Sequence, residues 1–238
     1  GWSRPHMEAA MKIPERIRRL KDELFATKTR VCFERARIIT DSYAETEGEH
    51  PALRRGKALA AVFDSVPVFI RPGELIVGQR AAVLAGRSVY PEFNLDGLDP
   101  EDIPEPVRSY WSGRTMADRT RASHPPALKA AEEELAAGYC TGTATGYGHM
   151  IVDYPKALAL GFDGIIAEAE GRLDDAEAAG DGEGSAFLQS VILTLQAVVR
   201  WAGRYADLAE ATAAATVSEE RRVELLQIAR ICRRVPAQ

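Results

Sequence analysis

Cysteine is scarce in this chain of 238 residues: Cys32, Cys140 and Cys232 are widely spaced and odd in number. That excludes a disulfide framework and any paired-cysteine zinc motif. Long hydrophobic runs are missing as well. No stretch approaches the roughly 18 uninterrupted apolar residues of a membrane span, and no signal-peptide pattern is visible, so a reducing cytosol is the expected setting. Positive charge is not in excess: 30 Lys and Arg stand against 35 Asp and Glu, a formal net charge of -5. This argues against a nucleic-acid-binding or anionic-membrane surface, and the local cluster Arg16, Arg18, Arg19 and Lys21 reads as a solvated helix face. Phosphate-cradling glycine loops, serine-nucleophile elbows and cofactor-lysine motifs are absent. What is present is 46% hydrophobic residues, enough for one large domain or two small ones. Gly1–His6 reads as a tag remnant ahead of Met7, leaving 7–238 as the chain proper.

Helical periodicity dominates and alternating β-branched runs are few, which predicts a mainly α fold of long amphipathic helices with a few short strands. From Pro14 to Tyr43 the residues Ile17, Leu20, Leu24, Val31 and Ile38 share a stripe, predicting one long helix. Gly48 and Pro51 break it; Leu59, Val62, Phe63 and Val66 mark a second helix, which Pro67 ends. The Pro72-Gly73 turn separates two short apolar runs, so strands are expected near Val68 to Val77, best at Leu75 to Val77, and around Val89. The proline-rich stretch from Ala81 to Pro126 predicts ordered loop with short helices. A helix is expected from Ala127 to Ala137, closed by Gly138.

Further helices are expected from Pro155 to Ala178, from Ser185 to Ala213 and from Thr216 or Ser218 to Arg234. The run Gly180–Gly184 predicts a flexible break between the first two. Thr216 with Glu219 has capping-box spacing.

Glycines, hydroxyl residues, a histidine and a carboxylate crowd together only between Gly138 and Pro155. Glycines let the backbone approach a ligand closely, and Asp153 with Pro155 predicts the start of the following helix. His149 and Asp153, four apart, would meet on one helical face, which invites an acid–base or metal reading. However, His149 lies in the loop, and no further ligand has suitable spacing, so no metal is expected. On the residues alone, His149 is either a loop histidine satisfied by backbone or a substrate contact, with Asp153 as a helix cap. Cys140 has nothing cationic nearby to activate it and reads as a structural thiol, while Cys32 and Cys232 read as packing residues within helices.

Four stretches together carry a resemblance. They are Pro72-Gly73-Glu74-Leu75-Ile76-Val77-Gly78-Gln79-Arg80, Tyr90-Pro91-Glu92-Phe93, Gly148-His149-Met150-Ile151-Val152-Asp153-Tyr154 with Gly161-Phe162-Asp163-Gly164, and Arg222 to Pro236. In this order they resemble the amino-terminal part of glycyl radical enzymes of the pyruvate formate-lyase-like kind, nearest the glycerol and propanediol dehydratase branch. The resemblance implies the amino-terminal helical portion of an α/β barrel protein about three times this length. It also implies a glycyl radical installed by a radical S-adenosylmethionine activase, a small-molecule substrate and a cytoplasmic or microcompartment location. The radical glycine and the thiyl cysteine would lie beyond Gln238, so no residue of this piece is expected to be catalytic and the isolated chain is expected to be inactive. Among its residues, the resemblance assigns only His149, as a group that holds a substrate hydroxyl.

The chain would then be a truncated piece, a proteolytic remnant or a natural short homologue, with apolar surface left uncovered and a tendency to self-associate. The alternative is a non-catalytic helical module that binds a partner chain. A metal-dependent hydrolase built on His149 and Asp153 would require bound metal, which is not expected.

Overall fold

The computed structural model describes residues 13–79, 81–136 and 151–238. In chain order these form α1 (Glu15–Ala26), β1 (Arg30–Cys32), α2 (Glu34–Glu45), α3 (Pro51–Ser65), β2 (Gly86–Ser88), α4 (Glu105–Trp111), α5 (Met116–Ser123), α6 (Pro126–Ala136), α7 (Tyr154–Ala179), α8 (Gly182–Ala215) and α9 (Glu219–Arg234). The mainly helical expectation holds. The single helix expected from Pro14 to Tyr43 does not, because α1 stops at Ala26 and a strand intervenes before α2. The intervening Thr27-Lys28-Thr29-Arg30-Val31-Cys32-Phe33 is rich in β-branched and aromatic residues, whose χ1 freedom a helix restricts and a pleated edge accommodates.

The two strands pair in parallel, with Arg30 opposite Gly86, Val31 opposite Arg87 and Cys32 opposite Ser88. The Val89 amide extends the pairing, donating to the Cys32 carbonyl at 3.4 Å. A strand was thus correctly expected around Val89. None forms at Val68 to Val77, where the Glu74 amide instead closes a turn on the Arg71 carbonyl at 3.1 Å, with Gly73 at φ 86°. The carboxylate of Glu74 draws this stretch around itself, accepting from the Arg71 amide at 2.9 Å, Arg71 Nε at 2.8 Å and Gln79 Nε2 at 3.3 Å.

Among the described residues two apolar clusters make the core. One joins α2, α3 and α4 through Ile39, Val62, Val107 and Trp111; the other joins the second half of α8 to α9 through Ala206, Ala209, Leu225 and Ile228. In the first, Trp111 Nε1 donates to Thr40 Oγ1 at 2.9 Å, and that hydroxyl donates to the Ala36 carbonyl at 2.6 Å. A buried indole is thereby satisfied without water.

Helix α8 packs most extensively on α3, then on α9 and α7. A Cβ at Gly56 of α3 would come within 2.8 Å of the Ser190 Cα on α8, so only glycine permits this approach. About four turns further along α8, Arg204 donates to the Phe63 carbonyl at 2.7 Å and the Val66 carbonyl at 2.8 Å, satisfying acceptors at the end of α3. Arg200 makes a bidentate pair with Asp64 nearer the solvent, at 2.9 and 2.8 Å. By length and composition α8 could cross a membrane, which a count of uninterrupted apolar residues missed. Within the described residues it is instead the packing axis for α3, α7 and α9.

Gly180, at φ 69°, ends α7, and Asp181 caps α8 by accepting from the Gly184 amide at 2.9 Å. The expected flexible break is therefore a tight turn between antiparallel helices. Ser218 caps α9, accepting from the Arg221 amide at 3.2 Å. The Thr216–Glu219 capping box does not form, because α9 starts at Glu219 with Ser218 as its cap, which leaves Thr216 two residues ahead of the cap as the residue that ends α8.

Helix α7 is also not continuous: Gly161, at φ 60° and ψ -178°, interrupts it. The amides of Phe162 and Asp163 turn outward and donate to the Pro236 carbonyl at 2.8 Å and the Ala237 carbonyl at 2.9 Å. The tail of the chain is thus bonded into the kink. A Cβ at Gly161 would sit 2.3 Å from the Ala237 oxygen.

Two outcomes follow from these contacts. Arg204→Met should cost about 2–3 kcal/mol, since it removes two charge-assisted bonds to partly buried carbonyls, whereas Arg200→Met should cost at most about 1 kcal/mol at an exposed pair. Urea unfolding of both variants checks the order; equal losses would contradict it. Gly161→Ala should cost about 1–3 kcal/mol, because its dihedrals belong to a region almost restricted to glycine. Hydrogen exchange should show lost protection at Phe162 and Asp163 and a released tail, while protection in α3 is retained.

Candidate functional site

The carboxyl end of the glycine-rich stretch is where the chain was expected to bind a ligand. Asp153 accepts from the Lys156 amide at 3.0 Å and caps α7, as its place before Pro155 predicts. Its carboxylate is therefore engaged in the cap. His149, Tyr147 and Cys140 lie outside the described residues. Directly after them Ile151 is 90% exposed and Leu158 is 85% exposed, with Val152 and Tyr154 also open, so the entrance to α7 carries an uncovered apolar ridge. Lys156 is held across the kink by Glu168 at 2.5 Å, and the hydrogen bond from Lys156 lowers the Glu168 pKa.

The Tyr90-Pro91-Glu92-Phe93 motif forms a second feature. Glu92 is buried, with Oε1 at 3.5 Å from Arg55 Nη1 and Oε2 without a hydrogen-bond partner among the described residues. Arg55 lies over the Phe93 ring at 5.1 Å and Arg35 over the Tyr90 ring at 4.5 Å. Such cation–π contacts hold both guanidinium groups against an aromatic wall. The Glu92 and Phe93 carbonyls accept from the Met116 and Ala117 amides, both at 2.9 Å, tying the motif to α5. An open cavity of about 510 Å³ adjoins it, edged by Arg87, Ser88, Asn94 and Asp96. These groups could orient a polar molecule, and among the described residues no cysteine, histidine or lysine lines the cavity.

The Pro72 to Gln79 motif is fastened to α9. Arg221 donates to the Glu74 carbonyl at 2.8 Å and the Arg71 carbonyl at 3.3 Å, and pairs with Glu224 at 2.9 Å. Burial opposes ionisation of Glu224, but the hydrogen bonds from Arg221 and Arg16 outweigh it and hold the carboxyl below its usual range. Beyond the turn, Leu75, Ile76 and Val77 face Trp201, Tyr205 and Ile231 across an apolar groove of about 360 Å³. Tyr205 accepts from the Gln79 amide at 3.1 Å, and burial pushes its phenol pKa up. Cys232, also on the groove, has its thiol pKa raised by burial. Cys32 is buried on β1, not in a helix as expected, but packs as expected. Among the described residues no three His, Cys, Asp or Glu side chains are placed to hold a metal.

Three of the four sequence motifs thus act, within the described residues, as clamps between elements. Sequence reasoning missed the clamp residues Arg55, Arg204 and Arg221, since arginines on an amphipathic helix look like ordinary surface charge. The usable signal was a glutamate set against apolar neighbours, Glu74 before Leu75-Ile76-Val77 and Glu92 before Phe93, because such a carboxylate, once buried, requires a cationic partner.

A family model described as pyruvate formate lyase-like matches residues 8–238. The isethionate sulfite-lyase of Oleidesulfovibrio alaskensis is 29% identical over 255 residues, which cover 94% of this chain and 31% of that enzyme. Among solved structures, a glycyl radical enzyme from Archaeoglobus fulgidus superposes with a TM-score of 0.80 at 33% identity, over 94% of this chain and 31% of its own. The glycerol-bound B12-independent glycerol dehydratase from Clostridium butyricum gives 0.81 at 33% identity, over the same shares. The chain spans about three tenths of the length of the curated relatives it matches. Fold, motif order and family match agree, and the chain belongs to the pyruvate formate lyase-like family of glycyl radical enzymes.

Proposed function

We propose that residues 7–238 are the amino-terminal helical part of a glycyl radical enzyme, a dehydratase or a carbon–heteroatom or carbon–carbon lyase acting on a small molecule. The observation that carries this reading is a likeness over 94% of the chain to enzymes of which it spans only 31%. In the full protein, this part packs against the barrel that the family fold implies, and its exposed apolar ridge at Ile151 and Leu158 supports such a covered position. Standing alone, the chain self-associates through the same surface. The working location is cytoplasmic or within a bacterial microcompartment.

The glycyl radical, installed by a radical S-adenosylmethionine activase, supplies hydrogen-atom abstraction in the full protein. This chain contributes His149, whose imidazole hydrogen-bonds the substrate hydroxyl that migrates or leaves and orients it for carbon–oxygen cleavage. Its place between the glycine-rich stretch and the capped start of α7 supports that role, since glycines permit close approach and the Asp153 cap fixes the helix start.

With activase under anaerobic conditions, this chain alone is expected to give no dehydratase, lyase or acetyltransferase turnover; product formed by the chain alone overturns the reading. In the full-length protein, His149→Ala should leave the radical yield seen by electron paramagnetic resonance unchanged while turnover of a diol substrate falls up to about a hundredfold through lost positioning. Unchanged turnover on every candidate diol returns His149 to a loop residue satisfied by its own backbone.

A further inference from the structure

We propose that the groove between Leu75–Gly78, α8 and α9 is a docking site for an apolar segment of the polypeptide that follows Gln238 in the full-length protein. This rests on the reading of the chain as the first part of a longer enzyme.

The first observation concerns the groove wall. Leu75-Ile76-Val77 has the composition of a strand, yet the chain bends at Ile76 and no strand forms. The amides of Leu75, Ile76 and Val77 have no main-chain partner among the described residues. Leu75 is 50% exposed and Ile76 is 87% exposed. An apolar stretch with unpaired amides is a ready surface for another polypeptide, which can supply carbonyl acceptors as well as side chains.

The second concerns the chemistry of the floor. Tyr205 and Cys232 contribute the polar side-chain atoms other than the indole nitrogen of Trp201, whose N–H is itself buried. The Tyr205 oxygen already takes the Gln79 amide, and the Cys232 thiol is partly buried. Among the described residues no charged side chain lines the groove. A polar small molecule would therefore find little to bind, whereas apolar side chains would bury the walls at roughly 25 cal/mol per Å².

The third selects the occupant. Val235 and Pro236 form part of the groove's rim, and the next two residues are pinned: Ala237 O by Asp163, and the Gln238 amide by the Arg234 carbonyl at 2.8 Å. Polypeptide beyond Gln238 thus starts beside the groove from a fixed point. Relatives of this chain carry about twice its length again. A segment tethered this closely reaches the groove at an effective concentration of the order of millimolar, which a second copy or an outside partner would have to displace.

The test uses the full-length protein with Ile76→p-benzoylphenylalanine, and Glu101→p-benzoylphenylalanine as an exposed control. Mixing isotopically labelled and unlabelled protein separates cross-links within a chain from those between chains. The expected product joins position 76 to a peptide beyond 238 of the same chain. A link to a second copy, or to residues 1–12 or 137–150, overturns the proposal. As an independent readout, Ile76→Cys should react with maleimide about an order of magnitude more slowly than Glu101→Cys in the folded protein. Equal rates overturn the proposal even if no cross-link forms. A reading frame that stops at Gln238 defeats the longer-enzyme reading itself, whereas a longer frame with a freely reactive position 76 defeats only the groove assignment.

Discussion

The close approach of α3 to α8 is the constraint on which the rest of this structure depends. Gly56 brings the two backbones together where no side chain would fit, and Arg204 then reaches the carbonyls that close α3. Their effects are complementary: the first sets the distance between the helices and the second fixes their register. Because α8 also carries α7 on one flank and α9 on another, this pair determines where the kink, the tail and the apolar groove come to lie. Trp201 and Tyr205 illustrate the dependence. They stack edge to face at 5.3 Å, Trp201 directly after Arg200 and Tyr205 directly after Arg204 on α8, so the groove floor inherits its position from the α3 contact.

The family motifs gain a physical meaning in this frame. Glu74 and Glu92 are both buried carboxylates within the short stretches that carry the resemblance, and each is met by arginine. Removing a charge from water is costly unless it is paired, so these positions tolerate little change whatever chemistry the full enzyme performs. Such residues identify the fold more readily than the substrate. That is consistent with relatives of different activity, a sulfite-lyase and a glycerol dehydratase, matching the same span.

Much of this was legible in the sequence, and the exceptions have identifiable causes. The Asp153 cap, the Pro72-Gly73 turn and the helix from Pro51 to Ser65 depend on neighbours in sequence, and local rules found them. The kink at Gly161 escaped because Leu158, Phe162 and Ile165 keep helical spacing straight through it. What breaks the helix is the tail at Pro236 and Ala237, a contact that no local pattern contains. The split between α1 and α2 was locally encoded in Thr27 to Phe33 but hidden by the apolar stripe running past it. At Leu75 to Val77 the local strand preference lost to Glu74, whose hydrogen bonds fold the stretch back. The glycine-rich composition around His149 was plain to read, but the role given to that residue came from family likeness, and the residue lies outside the described part of the chain.

We propose that this chain is the first part of a longer radical enzyme. The most direct measurement is the nucleotide sequence of the gene beyond the codon for Gln238. The account predicts an open frame continuing for about twice the present length, with a cysteine in a mid-chain loop and a glycine in a radical loop near its carboxyl end. A stop codon at Gln238, or a continuation without those two residues, would contradict it.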